Sequence, residues 1–192
     1  MFGTIKKAMV AAAVVGITAV APAVASADQW TVGGAPFAGT ARAHGTLTLT
    51  AAGTQTTCTV TATLSLNNGG TAPNQARGSV TSFLLGAPAG GTCTTTVPNC
   101  TVTAVATSLP WNIATTGTNV TIGPVSFTNT YSGVGCSLAG VPVSATGSIT
   151  GAAAANVLTF TNAGPLTTTL GSATVDGSVT VTNTSGAAVS LS

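Results

Sequence analysis

The chain has 192 residues, of which four are Lys or Arg, two are Asp or Glu and one is His, and 44% of its side chains are apolar. Nucleic acid and anionic lipid attract proteins through clustered Lys and Arg, so neither is expected as a partner of a chain this poor in charge. Disorder is excluded for the opposite reason: Val, Leu and Ile are abundant enough to bury.

Residues 1–27 read as a secretory signal. Lys6 and Lys7 form a short basic start, an apolar run follows from Ala8 to about Ala21, and Ala25-Ser26-Ala27 supplies a small-residue cleavage site before Asp28. The run falls short of the roughly 18 to 20 residues that span hydrocarbon, and no later segment reaches that length, so no transmembrane span is expected in the mature chain. Removing residues 1–27 from 192 leaves 165, a usual size for one domain. The remaining charges are Arg42 and Arg77 against Asp28 and Asp176, a net charge of zero with no Lys left to blunt strand edges.

Residues 28–40, with Trp30 and the Gly33-Gly34-Ala35-Pro36 turn, are expected to form a leader or an added edge strand, and residues 41–192 a single β domain. From there the period is two. Leu47 and Leu49 alternate with Thr; Cys58, Val60, Ala62, Leu64 and Leu66 then alternate with Thr59, Thr61, Thr63 and Ser65 before Asn67-Asn68-Gly69-Gly70 breaks the run. The pattern returns at Cys100, Val102 and Ala104, at Val120 and Ile122, at Val125, Phe127 and Tyr131, at Val141 and Val143, and at Val179 and Val181. β-Branched residues favour strands because they pack on a pleated surface while their restricted χ1 costs a helix more. Only Gly151 to Asn156 reads as a helical turn. The expectation is an all-β fold of about nine to eleven short antiparallel strands, either a β-sandwich (immunoglobulin-like or jelly-roll-like) or a barrel.

Four cysteines in a secreted chain read as two disulfides, with three connectivities open. Pairing of Cys93 with Cys100 and of Cys58 with Cys136 is favoured, the first closing a short loop and the second joining distant strands. Metal binding is not expected, because the cysteine spacings are wide and His44 is the one imidazole. Trp111, after Leu109 and Pro110, is expected to fill an end of the core.

Catalysis is not expected, and no cofactor either. General acid–base chemistry would fall to His44, Asp28 and Asp176, and no G-x-S-x-G elbow accompanies them. The sequons at Asn99, Asn119 and Asn183 are what a Thr-rich chain generates by chance.

From Cys100 to Trp111 the chain resembles the small secreted bacterial activators of alkane oxidation, the Pra type. The likeness rests on the signal segment, Cys58 in an early strand, a cysteine shortly before Leu109-Pro110-Trp111, and Cys136 after a Gly-rich turn. It implies an extracellular accessory role in growth on hydrocarbons, with no catalytic residues to carry over. Cys93 is additional to that pattern, so the resemblance transfers no pairing.

Two functions follow as expectations. The first is a secreted, non-catalytic β-protein acting at the cell surface or at an apolar, hydrocarbon–water interface, with an apolar surface or a cell-envelope component as partner. The alternative is a self-assembling structural subunit or adhesin, since low-charge runs such as Thr59 to Leu66 have the composition that pairs edge to edge. An outer-membrane barrel would need aromatic girdles that a chain with 4% aromatic residues cannot supply.

Overall fold

A computed structural model of the protein describes residues 28–71, 74–86 and 92–192. The expected signal segment and its cleavage site lie outside the described residues. Thirteen strands carry the fold, with no helix among the described residues. They are β1 (Trp30–Val32), β2 (Ala35–Pro36), β3 (Gly39–Ala51), β4 (Thr54–Asn67), β5 (Arg77–Leu85), β6 (Thr92–Thr95), β7 (Thr101–Ala106), β8 (Trp111–Thr116), β9 (Asn119–Ser132), β10 (Pro142–Ala154), β11 (Val157–Thr168), β12 (Gly171–Asn183) and β13 (Ser190–Leu191).

Of the two architectures expected, the chain adopts the barrel. Ten strands, β3 to β12, form one antiparallel sheet that closes through the ladder between β9 and β10. Between β4 and β9 the wall is filled twice. Toward one end β5 and β8 bridge the gap, β5 pairing with β4 over Val60–Asn67 and β8 with β9 over Asn119–Gly123. Toward the other end β6 and β7 bridge it, meeting β4 at Thr56 and Thr57 and β9 from Phe127 to Ser132. Each level of the barrel is therefore cut by eight strands, the width at which side chains either fill the interior or leave room for one small ligand.

The alternation in the sequence becomes the two sides of this wall. On β4, Cys58, Val60, Ala62, Leu64 and Leu66 are buried, while Thr59, Thr61 and Ser65 are exposed. Outward hydroxyls of neighbouring strands pair, as in Thr48 with Thr57 at 2.8 Å and Thr121 with Thr150 at 2.9 Å. Where strands must approach closely, glycine replaces the apolar residue: Gly177 has φ +129°, and a Cβ there would collide with the carbonyl oxygen of Thr46 on β3.

Several strand expectations are corrected. The runs around Val120 and Val125 are one strand, β9, which passes through Pro124 at the seam where its partner changes from β8 to β7. The β10 ladder also shifts register there, between Gly147 and Ile149, so the missing proline N–H interrupts no regular pairing. Residues Gly151 to Asn156 make no helical turn: they are the end of β10 and the reversal into β11. Val141 precedes β10 and is exposed. The ten barrel strands fall within the nine to eleven expected, but they are not all short: six of them run to 12–14 residues, because closing a tilted barrel needs long continuous ladders.

The favoured disulfide pairing is also wrong. Cys58 bonds Cys93 and Cys100 bonds Cys136. The register explains why: Thr57 sits opposite Thr94 on β6, which places Cys93 against Cys58 with Cα atoms 4.5 Å apart. Cys93 pairs instead with Val102 on the β7 side, so the intervening hairpin carries Cys100 past it to the barrel end. There it meets Cys136 in the loop after β9. Each bridge closes a loop of 35 or 36 residues, which in the chain-entropy account stabilises by about 3–4 kcal/mol.

The leader 28–40 forms most of a lid. β1 lies between β13 and β2 in a three-stranded sheet, and Gln29 and Ser192 are tied by reciprocal backbone bonds of 2.8 and 3.0 Å. Asn68 of the Asn67-Asn68-Gly69-Gly70 turn locks this lid: its Oδ1 accepts from the Trp30 amide at 2.8 Å, and its Nδ2 donates to the Trp30 and Phe37 carbonyls.

Candidate functional site

Inside the barrel is a cavity of about 100 Å³. Its existence follows from small residues set side by side on the inner face. Ala43 on β3 is opposite Ala62 on β4, and Ala104 on β7 is opposite Asn129 on β9. Larger residues close around them, among them Leu47, Phe83, Trp111, Ile149 and Phe160. Trp30 and Val189, with Leu191, close the lid end, and the Trp30 indole is held there by donating to the Arg77 carbonyl at 2.8 Å. The cavity reaches the exterior beside that lid, at the turn between β10 and β11, where Ala155 is exposed and Asn156 and Val157 are half-buried.

Among the described residues no charged side chain lines this space. The polar groups in its wall are Thr56, Asn129 and Asn156. The Thr56 hydroxyl is engaged with the Tyr131 hydroxyl at 3.0 Å, both side chains being buried. Asn129 is 1% exposed, and its Nδ2 has no hydrogen-bond partner among the described residues. An unpaired buried amide hydrogen is costly, about 1–3 kcal/mol, and such groups are rare in folded proteins.

The residues singled out from the sequence divide between the cavity and the barrel end. Trp111 is 2% exposed, lines the cavity, donates its Nε1–H to the Thr107 carbonyl at 3.0 Å and packs against Phe83 with ring centroids 4.9 Å apart. Cys58 lines the cavity too, and with Cys93 braces its wall. Leu109 packs on the core from outside β8, Pro110 is exposed, and Cys100 and Cys136 secure the end away from the lid.

The titratable residues are not gathered. His44 is exposed on β3, and Asp176 on β12 stands opposite Thr48, four residues further along β3, or about 13 Å. The Asp176 carboxylate accepts from the Asn162 amide at 2.8 Å. Asp28 sits in the segment entering the lid, where its carbonyl accepts from Ala76. Among the described residues no three His, Cys, Asp or Glu side chains come together, and no helix is long and apolar enough to cross a membrane.

Sequence reasoning missed Asn129, Thr56, Trp30 and the C-terminal Val189 as parts of one site. For Asn129 a signal existed: it occupies the inward phase of Val125, Phe127 and Tyr131, a polar residue where the alternation demands an apolar one. For Trp30 and Val189 none did, since only folding brings these two distant segments together over the barrel. No family model matches the chain, and neither does any curated protein or solved structure.

Proposed function

We propose that the protein is a secreted, non-catalytic β-barrel that takes a small apolar molecule into its interior and works at the cell surface or at a hydrocarbon–water interface. The observation that carries this reading is the closed barrel with an uncharged, apolar cavity opening beside its lid. Two disulfides fit an extracellular setting. The family resemblance adds a role in growth on hydrocarbons. The hydroxyl-covered outer wall suits water rather than lipid, so the apolar chemistry is turned inward.

Closure weighs against the alternative of a self-assembling subunit. Each barrel strand is paired on both sides, which leaves β2 and β13, two residues each, as the open edges among the described strands. A subunit that polymerised through strand edges would need longer ones.

The test is titration of the mature protein with 2-methylbutane, followed by NMR of the methyl groups of Leu47, Ile149 and Val179, which line the cavity. Saturable shifts at these methyls are expected, unchanged in a His44→Gln, Asp176→Asn double variant and insensitive to salt. Shifts confined to outer-wall residues, or filaments forming in place of a monomeric complex, would overturn the reading.

A further inference from the structure

We infer that the cavity selects a neutral molecule with an apolar body and one hydrogen-bond-accepting oxygen, a ketone, aldehyde, ether or ester, whose oxygen accepts from Nδ2 of Asn129. This rests on the reading of the cavity as a binding site and names the class of ligand. Three observations converge on it. Asn129 lines the cavity, is buried, and leaves Nδ2 without a partner among the described residues. The nearest polar feature along β9, the Tyr131 hydroxyl two residues on, is occupied by Thr56 and does not compete for the ligand. Among the described residues the cavity wall carries no cation.

The first observation calls for an acceptor, since a pure hydrocarbon would leave the amide hydrogens as unpaired as they are in the free protein. The second disfavours ordered water as that acceptor. A buried water settles where it finds two to four polar partners, and here the Thr56 hydroxyl is engaged with Tyr131 and the Asn156 amide donates to the Val181 carbonyl, which leaves the Asn129 amide. The third excludes carboxylates, because an anion placed here would lose its hydration with no opposite charge to replace it. Size sets the scale: an apolar cavity of about 150 Å³ holds benzene, so about 100 Å³ is room for a molecule of about four or five heavy atoms.

2-Butanone and 2-methylbutane share one heavy-atom connectivity and differ where a doubly bonded oxygen on a planar carbon stands in place of a methyl group on a tetrahedral one, so the pair compares ligands of similar size with and without the acceptor. Dissociation constants for both are measured by NMR titration with the wild type and with Asn129→Leu, which keeps the branching and the number of heavy atoms of the side chain. The ratio of the two constants within each protein cancels their different transfer from water. The expected result is that Asn129→Leu shifts this ratio about tenfold against 2-butanone, and that 2-butanone moves the Asn129 side-chain amide resonances of the wild type while 2-methylbutane leaves them in place.

An unchanged ratio with unmoved amide resonances, both ligands still binding, overturns the selectivity and leaves the apolar-cavity function standing. Failure of both ligands to reach the cavity methyls overturns the two together. Binding of butanoate as tight as that of 2-butanone overturns neutrality. Should Asn129→Leu fail to fold, the amide resonances of the wild type decide alone.

Discussion

Replacing Ala62 with Leu places new carbon in the cavity from its β4 wall. Ala62 is buried between Ala43 and Phe83 on the neighbouring strands and faces the empty space. The substitution adds three carbons, worth about 0.8 kcal/mol each when buried, or about 2.4 kcal/mol. The penalty of the existing void gives a similar figure: about 100 Å³ at roughly 24 cal/mol per Å³ is also about 2.4 kcal/mol. Ala62→Leu is therefore expected to stabilise the protein by about 2 kcal/mol and to raise Tm by about 4–8 °C in a chain of this size. It should also abolish binding of 2-methylbutane. Differential scanning calorimetry with and without the ligand reads both effects. In a filled core the same change would overpack and cost about 1–3 kcal/mol, so a lower Tm, or a higher one with binding intact, would refute the account of the cavity.

Leu64→Asp should destabilise far more than Thr63→Asp, by at least about 3 kcal/mol, because Leu64 is buried in the cavity wall and Thr63 lies in the outward phase of β4; equal urea midpoints would contradict the register. Gly177→Val should cost about 2–5 kcal/mol, combining an unfavourable φ with a collision against the Thr46 carbonyl, and chemical denaturation showing a loss below 1 kcal/mol would count against so close an approach of β12 to β3. Proteolysis without reductant should release peptides joining Cys58 to Cys93 and Cys100 to Cys136, and mass spectrometry finding Cys93 joined to Cys100 would reverse the assigned ladder.

The all-β class and the inner and outer faces of the long strands were legible in the primary structure. Burial is decided locally there: in a pleated strand every second side chain shares a side, so Leu47, Val60, Leu64, Val125 and Val179 announce one wall of the core wherever their strands lie. The glycines and prolines were harder to read. Pro124 and Pro165 look like strand breaks, yet both stand inside long strands, at places where a partner strand changes or a ladder shifts register.

Closure, cysteine pairing and the cavity belonged to the tertiary structure. Alternation fixes a face but not a neighbour, so sandwich and barrel share one pattern until β9 finds β10 and the sheet has no remaining edge. Cys93 lies seven residues from Cys100 and 35 from Cys58, and the distance along the chain misleads because cross-strand register, not loop length, brings sulfur atoms together. The cavity is a difference between the space that eight strands enclose and the volume that Ala43, Ala62 and Ala104 supply, and the enclosed space is set by strand number and tilt. Asn129 stood out of phase with its neighbours in the sequence, but what its amide lacks became visible only when the wall around it had closed.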